Sequence, residues 1–272
     1  MLDFLNFGVS PPNFNDTHIV LIPKTKNPKR VTEYRPISLC NVVYKLASKT
    51  LANRLKRVLP SIISDTQSAF VNDRLITDNV MVVFETMHHI SQRKVGSVGE
   101  MALKFDMSKA YGRVEWVCLE KIMERLRFAP RWRGLMMQCF TSITYSIKIN
   151  GKLSGKITPS RGLCQGDSLS PYLFLLCAEG LSALIKKAIF DGSMQGVFVC
   201  KGVLGYLIYF FVDDNIIFCK ETTQNVRPYK RSYRCMSKLR GSSLTEQKPS
   251  YFLATTPLRK SRMRLSLNLG HK

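Results

Sequence analysis

Nothing in this sequence favours a membrane span or secretion. No run approaches the roughly 18 apolar residues that crossing a bilayer requires. The N-terminus, Met1-Leu2-Asp3-Phe4-Leu5, lacks the basic segment and the apolar stretch of a signal peptide. These absences predict an intracellular protein. Eight cysteines stand at 40, 118, 139, 164, 177, 200, 219 and 235, with no CxxC pair among them. That excludes the usual zinc spacings and favours buried, reduced thiols. The four histidines, at 18, 88, 89 and 271, have no ligand spacing either, and His88-His89 read as part of a helix. Acidic residues are scarce at one end. Residues 226–272 carry 12 Lys and Arg against a single acid, Glu246, which is half of the net charge of +22.

A basic excess of this size favours a polyanionic partner, most often nucleic acid. The 272 residues are 45% hydrophobic, enough for a sizeable core in one large domain or two small ones. No internal repeat is visible.

Residues 17–22 read as a strand ended by Pro23-Lys24, followed by a polar basic loop to Arg35-Pro36. Ser38 to Leu59 shows helical periodicity through Val42, Leu46, Leu55 and Leu59. Its Lys45, Lys49, Arg54, Lys56 and Arg57 form either a solvated face or a phosphate-contacting one. Asp78 can cap a further helix with Val80, Phe84, Met87 and Ile90 on one stripe. Met101 to Phe105 reads as a strand ending at Asp106, and helices are expected near 115–128 and after Pro130. Ile143 to Ile149, then Asn150-Gly151, then Lys156 onward predict a hairpin with a tight turn. Ser170-Pro171 opens a long apolar helix to about Phe190, with Pro171 suited to the first helical position. From about Val226 the apolar stripes fade, as in a disordered segment or a basic arm.

The chemistry concentrates at two strand ends. Lys104-Phe105-Asp106 closes one strand with a carboxylate. Phe211-Val212-Asp213-Asp214 puts two more between the apolar runs 207–212 and 215–219. Asp-Asp is also an ordinary turn dipeptide. If the strands are neighbours, three carboxylates meet at one sheet edge, an oxygen-only set suited to Mg²⁺. Two such ions, about 3.5–4 Å apart, can clamp the attacking and leaving oxygens of an in-line phosphoryl transfer. The Gly-punctuated loop Arg161-Gly162-Leu163-Cys164-Gln165-Gly166-Asp167 allows close backbone approach to a flat substrate.

Six segments occur in one order: Leu21-Ile22-Pro23-Lys24, Tyr34-Arg35-Pro36-Ile37-Ser38-Leu39, Gln67-Ser68-Ala69-Phe70-Val71, Lys104-Phe105-Asp106-Met107-Ser108-Lys109-Ala110-Tyr111, Gln165-Gly166-Asp167 with Leu169-Ser170-Pro171, and Phe211-Val212-Asp213-Asp214. Over about residues 10–225 they resemble the reverse transcriptases of non-LTR (LINE-type) retrotransposons, most closely those of plants. The resemblance implies an α+β fold, a right-hand polymerase with fingers and palm, an antiparallel palm sheet with packed helices, and no thumb. Fingers would lie mainly in 15–100 and palm mainly in 101–225, with 226–272 a basic atypical tail.

The same resemblance implies RNA-directed DNA synthesis from an RNA template, a DNA primer and dNTPs, with two Mg²⁺ ions or Mn²⁺ in their place. Asp106, Asp213 and Asp214 match the metal-binding aspartates. Tyr111 matches the aromatic residue beneath the incoming sugar. Gln165 and Gly166 match the nucleotide loop, and Lys24 and Arg35 match finger positions that meet the triphosphate. Bland readings stand beside these: solvated charge for Lys24, a loop residue for Arg35, core packing for Tyr111. A nuclear site would suit the family's target-primed insertion.

The chain departs from the family pattern. Gly112 stands at a usual Asp, Cys164 at a usual Arg or Lys, Ser168 at a usual Pro and Val212 at a usual Ala. The change of character near 226–229 reads as translation in a shifted frame, because the expected amphipathic helix and Ser-Gly-Gln segment do not follow in order. A degenerate relic that binds nucleic acid without catalysis is the alternative expectation.

Overall fold

The computed structural model describes residues 1–92, 99–106, 110–200, 203–204, 208–211, 214–220 and 251–255. In chain order these form α1 (Leu2–Phe7), β1 (Asp16–Pro23), β2 (Tyr34–Leu39), α2 (Val42–Lys56), α3 (Leu59–Ile62), α4 (Ile76–Gln92), β3 (Glu100–Asp106), α5 (Ala110–Arg113), α6 (Trp116–Arg125), α7 (Pro130–Thr141), β4 (Thr144–Ile149), β5 (Lys152–Ile157), α8 (Ser170–Phe190), β6 (Phe198–Cys200), β7 (Val203–Leu204), β8 (Ile208–Phe211), β9 (Asp214–Lys220) and β10 (Tyr251–Thr255). None of the described helices is long and apolar enough to cross a membrane.

Two four-stranded sheets carry the architecture. The first has the order β2-β1-β4-β5, with β1 antiparallel to β2 and parallel to β4. The second, β10-β3-β9-β8, is antiparallel throughout. Residues 144–157 thus share a sheet with residues 16–39, so the expected boundary near residue 100 does not separate the two sheets. The parallel β1–β4 pairing is fastened by polar groups at its start. Asn15 is buried, and its Nδ2 donates to Cys139 O at 2.5 Å and to Ser142 Oγ at 3.2 Å, at the end of α7. The Thr144 hydroxyl donates to the Asp16 carboxylate beside it.

Local chemistry explains the clearest elements. The β4–β5 hairpin turns on Asn150 (φ 50) and Gly151 (φ 81), the two left-handed positions that a tight hairpin turn requires. Helix α8 begins with Pro171 in its first turn, where a missing N–H costs nothing. It is buried at Ser170 and from Tyr172 through Ala178, and it packs with α2, α6 and α7 around Tyr44, Leu51, Leu119, Met123, Met136, Leu173 and Phe174.

Three expectations are corrected. Tyr34–Leu39 is a strand, not the end of a loop. Its carbonyls and amides pair with β1 in the register Ile22↔Arg35 and Val20↔Ile37, with Pro36 on the open edge of the sheet, where a missing donor is tolerated. Of the stripe expected on α2 and beyond, Leu55 and Leu59 are buried, but the first half of α2 turns a different face inward. Val42 (70% exposed) and Leu46 (55%) lie outside, while Tyr44, Ala47, Ser48, Leu51, Ala52 and Leu55 are buried. The inward positions recur at three, four and seven residues, the full helical period, whereas Val42 and Leu46 sit half a turn away from Tyr44 and Ser48. Helix α4 likewise buries Asn79, Thr86 and Ile90 and exposes Val80 and Phe84. It starts at Ile76, so Asp78 lies in its first turn rather than at its cap. Ile90, with Val83 and Met87, packs on Ala102, Ile216 and Phe218 of the second sheet.

Cys40, Cys139, Cys164, Cys177 and Cys219 are buried thiols. Burial pushes the thiols of Cys139 and Cys177 up and that of Cys219 up to about 12.

The inward face of α2 sets one expected outcome. Leu51→Ala should lower stability by about 2–5 kcal/mol, the range for emptying a closed core position. Leu46→Ala, on the same helix, should change it by less than about 0.5 kcal/mol. Chemical denaturation of both variants distinguishes the observed face from the Val42/Leu46 face, on which the costs would be reversed.

Candidate active site

The second sheet brings the strand-end carboxylate residues into register. In the antiparallel pair β3–β9, Asp106 lies directly opposite Asp214, the last pair of a ladder that begins at Glu100↔Lys220. Across the other edge of β9, Phe211 faces Asp214, so β8 and β9 form a hairpin closed by residues 212–213. Asp213, like Val212, lies outside the described residues. Directly opposite residues of an antiparallel pair have Cα atoms about 4.5–5.5 Å apart. Two carboxyl-bearing residues at that separation can contribute oxygens to one hard cation. The backbone arrangement therefore fits a divalent ion at the ends of β3 and β9.

Tyr111 lies on α5, a short helix four residues beyond β3. Its ring is half-buried and stacks on Phe174 of α8, with centroids 5.2 Å apart and planes 15° from parallel. Its backbone carbonyl accepts from Leu163 N at 2.7 Å, and Val114 O accepts from Gly162 N at 2.8 Å. Trp116 Nε1 donates to Gly162 O at 2.8 Å. The loop 161–166 is thus laced to α5 and to the start of α6. Gly162 takes φ +94, and a Cβ there would come within 3.1–3.3 Å of the Gly112 backbone. Around Gly112 itself a Cβ would meet nothing within 4 Å.

At its far end the loop docks on the first sheet. Ser38 N donates to Gln165 O at 2.9 Å, which ties the loop to β2. Gly166 takes φ +102, and a Cβ there would stand 3.4 Å from Ser38 O. The Gln165 and Gly166 residues remain exposed. Arg35, also exposed, lies three residues earlier on the same strand. Lys24 follows β1 at the same end of the β1–β2 pair. Its amide donates to Glu33 O at 2.8 Å, and its Nζ donates to Thr32 O at 2.9 Å.

Cys164, at the position the family pattern gives to a basic residue, is buried. Its Sγ lies 3.3 Å from the Tyr145 hydroxyl. Cys164 also hydrogen-bonds Cys40, which holds the Cys40 thiol below its ordinary value and drives that of Cys164 up. The loop therefore carries no positive charge at this point.

One residue that organises this region was not singled out from sequence. Asp167 is buried, and its Oδ2 accepts from the Tyr44 hydroxyl at 3.2 Å, from Leu169 N at 3.3 Å and from Ser170 Oγ at 3.3 Å. Burial first, and then the Asp167 carboxylate, push the Tyr44 phenol well above its ordinary value, so it remains a donor. An Asp two and three residues ahead of the groups at a helix start was the available signal.

The family model described as "Reverse transcriptase (RNA-dependent DNA polymerase)" matches residues 22–263. That match runs into the basic tail, from which β10 pairs with β3 in the register Leu253↔Leu103. An uncharacterized 149 kDa protein of transposon TX1 from Xenopus laevis is 28% identical over 214 residues, covering 79% of this chain and 16% of its own length. The Pol polyprotein of the type-2 retrotransposable element R2DM from Drosophila melanogaster is 26% identical over 213 residues, covering 78% of this chain and 19% of its own. The chain thus spans less than a fifth of these two relatives. Apo telomerase from Candida tropicalis, truncated from its C-terminal domain, has the same fold over 90% of this chain and 51% of its own, with a TM-score of 0.52 and 15% identity.

The two glycines set opposite expectations. Gly112→Ala should stabilise by up to about 1 kcal/mol, since it adds helix propensity in open space. Gly162→Ala should cost more than about 1 kcal/mol, because it combines a left-handed φ with a tight contact against the Gly112 backbone. Thermal melts of the two variants moving in the same direction would contradict this loop geometry.

Proposed function

This chain belongs to the reverse transcriptase (RNA-dependent DNA polymerase) family, and from that premise we propose that it is the RNA-directed DNA polymerase domain of a non-LTR retrotransposon of the plant LINE type. It would join a dNTP to the 3′-hydroxyl of a DNA primer on an RNA template. The observation that carries this reading is the register of Asp106 against Asp214 at the ends of adjacent antiparallel strands. We assign Asp213, in the connection between β8 and β9, as the third carboxylate of the set.

Asp106, Asp213 and Asp214 would hold two Mg²⁺ or Mn²⁺ ions. When bound, these ions supply neutralising charge along the triphosphate and lower the pKa of the primer hydroxyl. The chain's own residues position the reactants. Arg35 offers a planar, bidentate donor to phosphate oxygens and Lys24 a point charge, both at one end of the β1–β2 pair. Tyr111, its ring braced against Phe174, is the residue we assign beneath the incoming sugar. The exposed Gln165 and Gly166, tethered through Ser38, let the backbone approach the base pair. In this reading the first sheet with α2 and α3 forms the fingers, and the second sheet with α4 and α8 forms the palm. A nuclear site suits insertion into chromosomal DNA.

A binding-only relic is the second reading, favoured by the buried Cys164 where the family pattern has a cation. Primer extension on an RNA template with Mg²⁺ separates the two. The chain should extend the primer, and an Asp213→Ala, Asp214→Ala double variant should lose roughly a thousandfold or more in rate, the several kcal/mol that such a charge clamp contributes. Salt-sensitive binding without extension by either protein would instead establish the relic.

A further inference from the structure

The loop between α3 and α4 holds an aromatic side chain in an unusual setting. Phe70 takes φ +59, a left-handed backbone conformation that is a genuine outlier for a bulky residue. Its ring is 47% exposed. Its only ring partner among the described residues is Tyr172, which it meets edge-on at 6.3 Å between centroids. On the same Tyr172 ring lies Lys56 Nζ, 5.3 Å from the centroid.

The loop around Phe70 is rigidly held. Arg74 Nη1 donates to Ser64 O at 2.7 Å and Gln67 O at 2.8 Å, and its Nη2 donates to Ile63 O at 2.9 Å and Pro60 O at 3.3 Å. Arg74 also pairs with Asp65 at 3.4 Å. Gln67 Oε1 accepts from Ala69 N at 3.1 Å, and Asn79 Nδ2 donates to Thr66 O at 2.9 Å. The backbone from Pro60 to Ala69, just ahead of Phe70, is thereby held from within, and Thr66, Gln67, Ser68, Ala69 and Val71 are buried. Phe70 is the residue of this stretch whose large apolar group points into water at a backbone angle that disfavours it. The hydrophobic core gains little from such a placement.

We propose that Phe70, with Tyr172 beneath it and Lys56 alongside, forms a stacking platform for an unpaired base of single-stranded RNA, the template strand of the activity proposed above. An exposed ring beside a cation is the recurrent device for holding single strands: the base stacks on the ring and the phosphate meets the charge. The occupant is argued from charge. Lys45, Lys49 and Arg54 lie exposed on α2, the helix that supplies Lys56, Arg57 lies exposed at its C-terminal cap, and the chain carries a net charge of +22. A backbone held by Arg74 delivers the ring without an ordering cost on binding.

The inference rests on the template-directed reading for its ligand, and its test does not depend on catalysis. Binding of a labelled, unstructured RNA oligonucleotide, with a DNA oligonucleotide of the same sequence as a second arm, is followed by fluorescence anisotropy without dNTP. Phe70→Asn removes the ring and keeps a residue at home in the left-handed region. Phe70→Tyr keeps the ring. We expect Phe70→Asn to denature at the wild-type midpoint and to bind RNA about 5- to 150-fold more weakly, the range for one stacked base. Its dependence on salt should be unchanged, because no phosphate contact is lost. Phe70→Tyr should bind as wild type. Lys56→Ala should flatten the salt dependence by about one phosphate contact.

Equal RNA affinity of Phe70→Asn and wild type overturns the platform. So does an affinity loss that Phe70→Tyr shares, since the site would then respond to the fold and not the ring. A weaker grip on the DNA oligonucleotide alone, with RNA unaffected, overturns the assignment to the template strand. Failure of primer extension with the Phe70→Asn binding loss intact leaves the platform standing and removes only the polymerase reading.

Discussion

The buried carboxylate of Asp167 is the joint on which the arrangement around the candidate site depends. One oxygen accepts from the hydroxyl of Tyr44 on α2, from the amide of Leu169 and from the hydroxyl of Ser170 at the head of α8. Three donors on Oδ2 replace water that burial has removed, while Oδ1 is buried with no hydrogen-bond partner among the described residues. Each donor comes from a different part of the local structure: a core helix, the loop itself, and the start of the longest buried helix. Two residues before Asp167 the loop reaches β2 through Gln165 O. Two and three residues before that, Leu163 donates to Tyr111 O of α5 and Gly162 to Val114 O just beyond it. The carboxylate therefore fixes the spacing between the first sheet, the central helix and the helix that bears Tyr111. Geometry at Gln165, Gly166 and Tyr111 follows from it.

Close backbone approach is the second constraint, and it explains the glycines of this loop. A Cβ at Gly162 would stand 3.1–3.3 Å from the Gly112 backbone, tighter than an ordinary contact, while at Gly166 it would meet Ser38 O at an ordinary 3.4 Å, so there the positive φ is what favours glycine. The family pattern puts Asp at position 112. A side chain at 112 would meet open space, so the contact with Gly162 is made by backbone and is indifferent to it. The substitution thus removes a polar group beside Tyr111 without disturbing the loop that leans there.

What was legible in the sequence was what local chemistry decides. Asn150-Gly151 specified its hairpin because both residues accept positive φ. Ser170-Pro171 specified the start of α8 because proline fits a first turn. The two strands that carry Asp106 and Asp214 were legible as apolar runs that end at carboxylates. Long-range pairing was not. The parallel union of β1 with β4 joins residues about 128 apart, and it is fastened by Asn15 to the end of α7, a contact with no periodic trace. Strand β2 was hidden because Arg35 and Pro36 resemble a loop until an edge position makes them compatible with pairing. The faces of α2 and α4 were misjudged for one reason. Both helices carry exposed apolar residues, and a stripe drawn through the most hydrophobic positions does not coincide with the stripe that packs.

Composition separated residues 226–272 from the rest of the chain, yet Tyr251–Thr255 is an apolar segment flanked by polar ones, and it pairs with the outer edge of β3. Pairing on that edge satisfies backbone groups that would otherwise stand open beside the strand bearing Asp106. A strand needs only five residues of suitable pattern to do this. A short apolar segment within a basic tail can therefore complete the sheet that carries Asp106 and Asp214. Its charge and its pairing are separate properties: the Lys and Arg residues account for half of the net positive charge, and the short apolar segment accounts for the edge of the sheet.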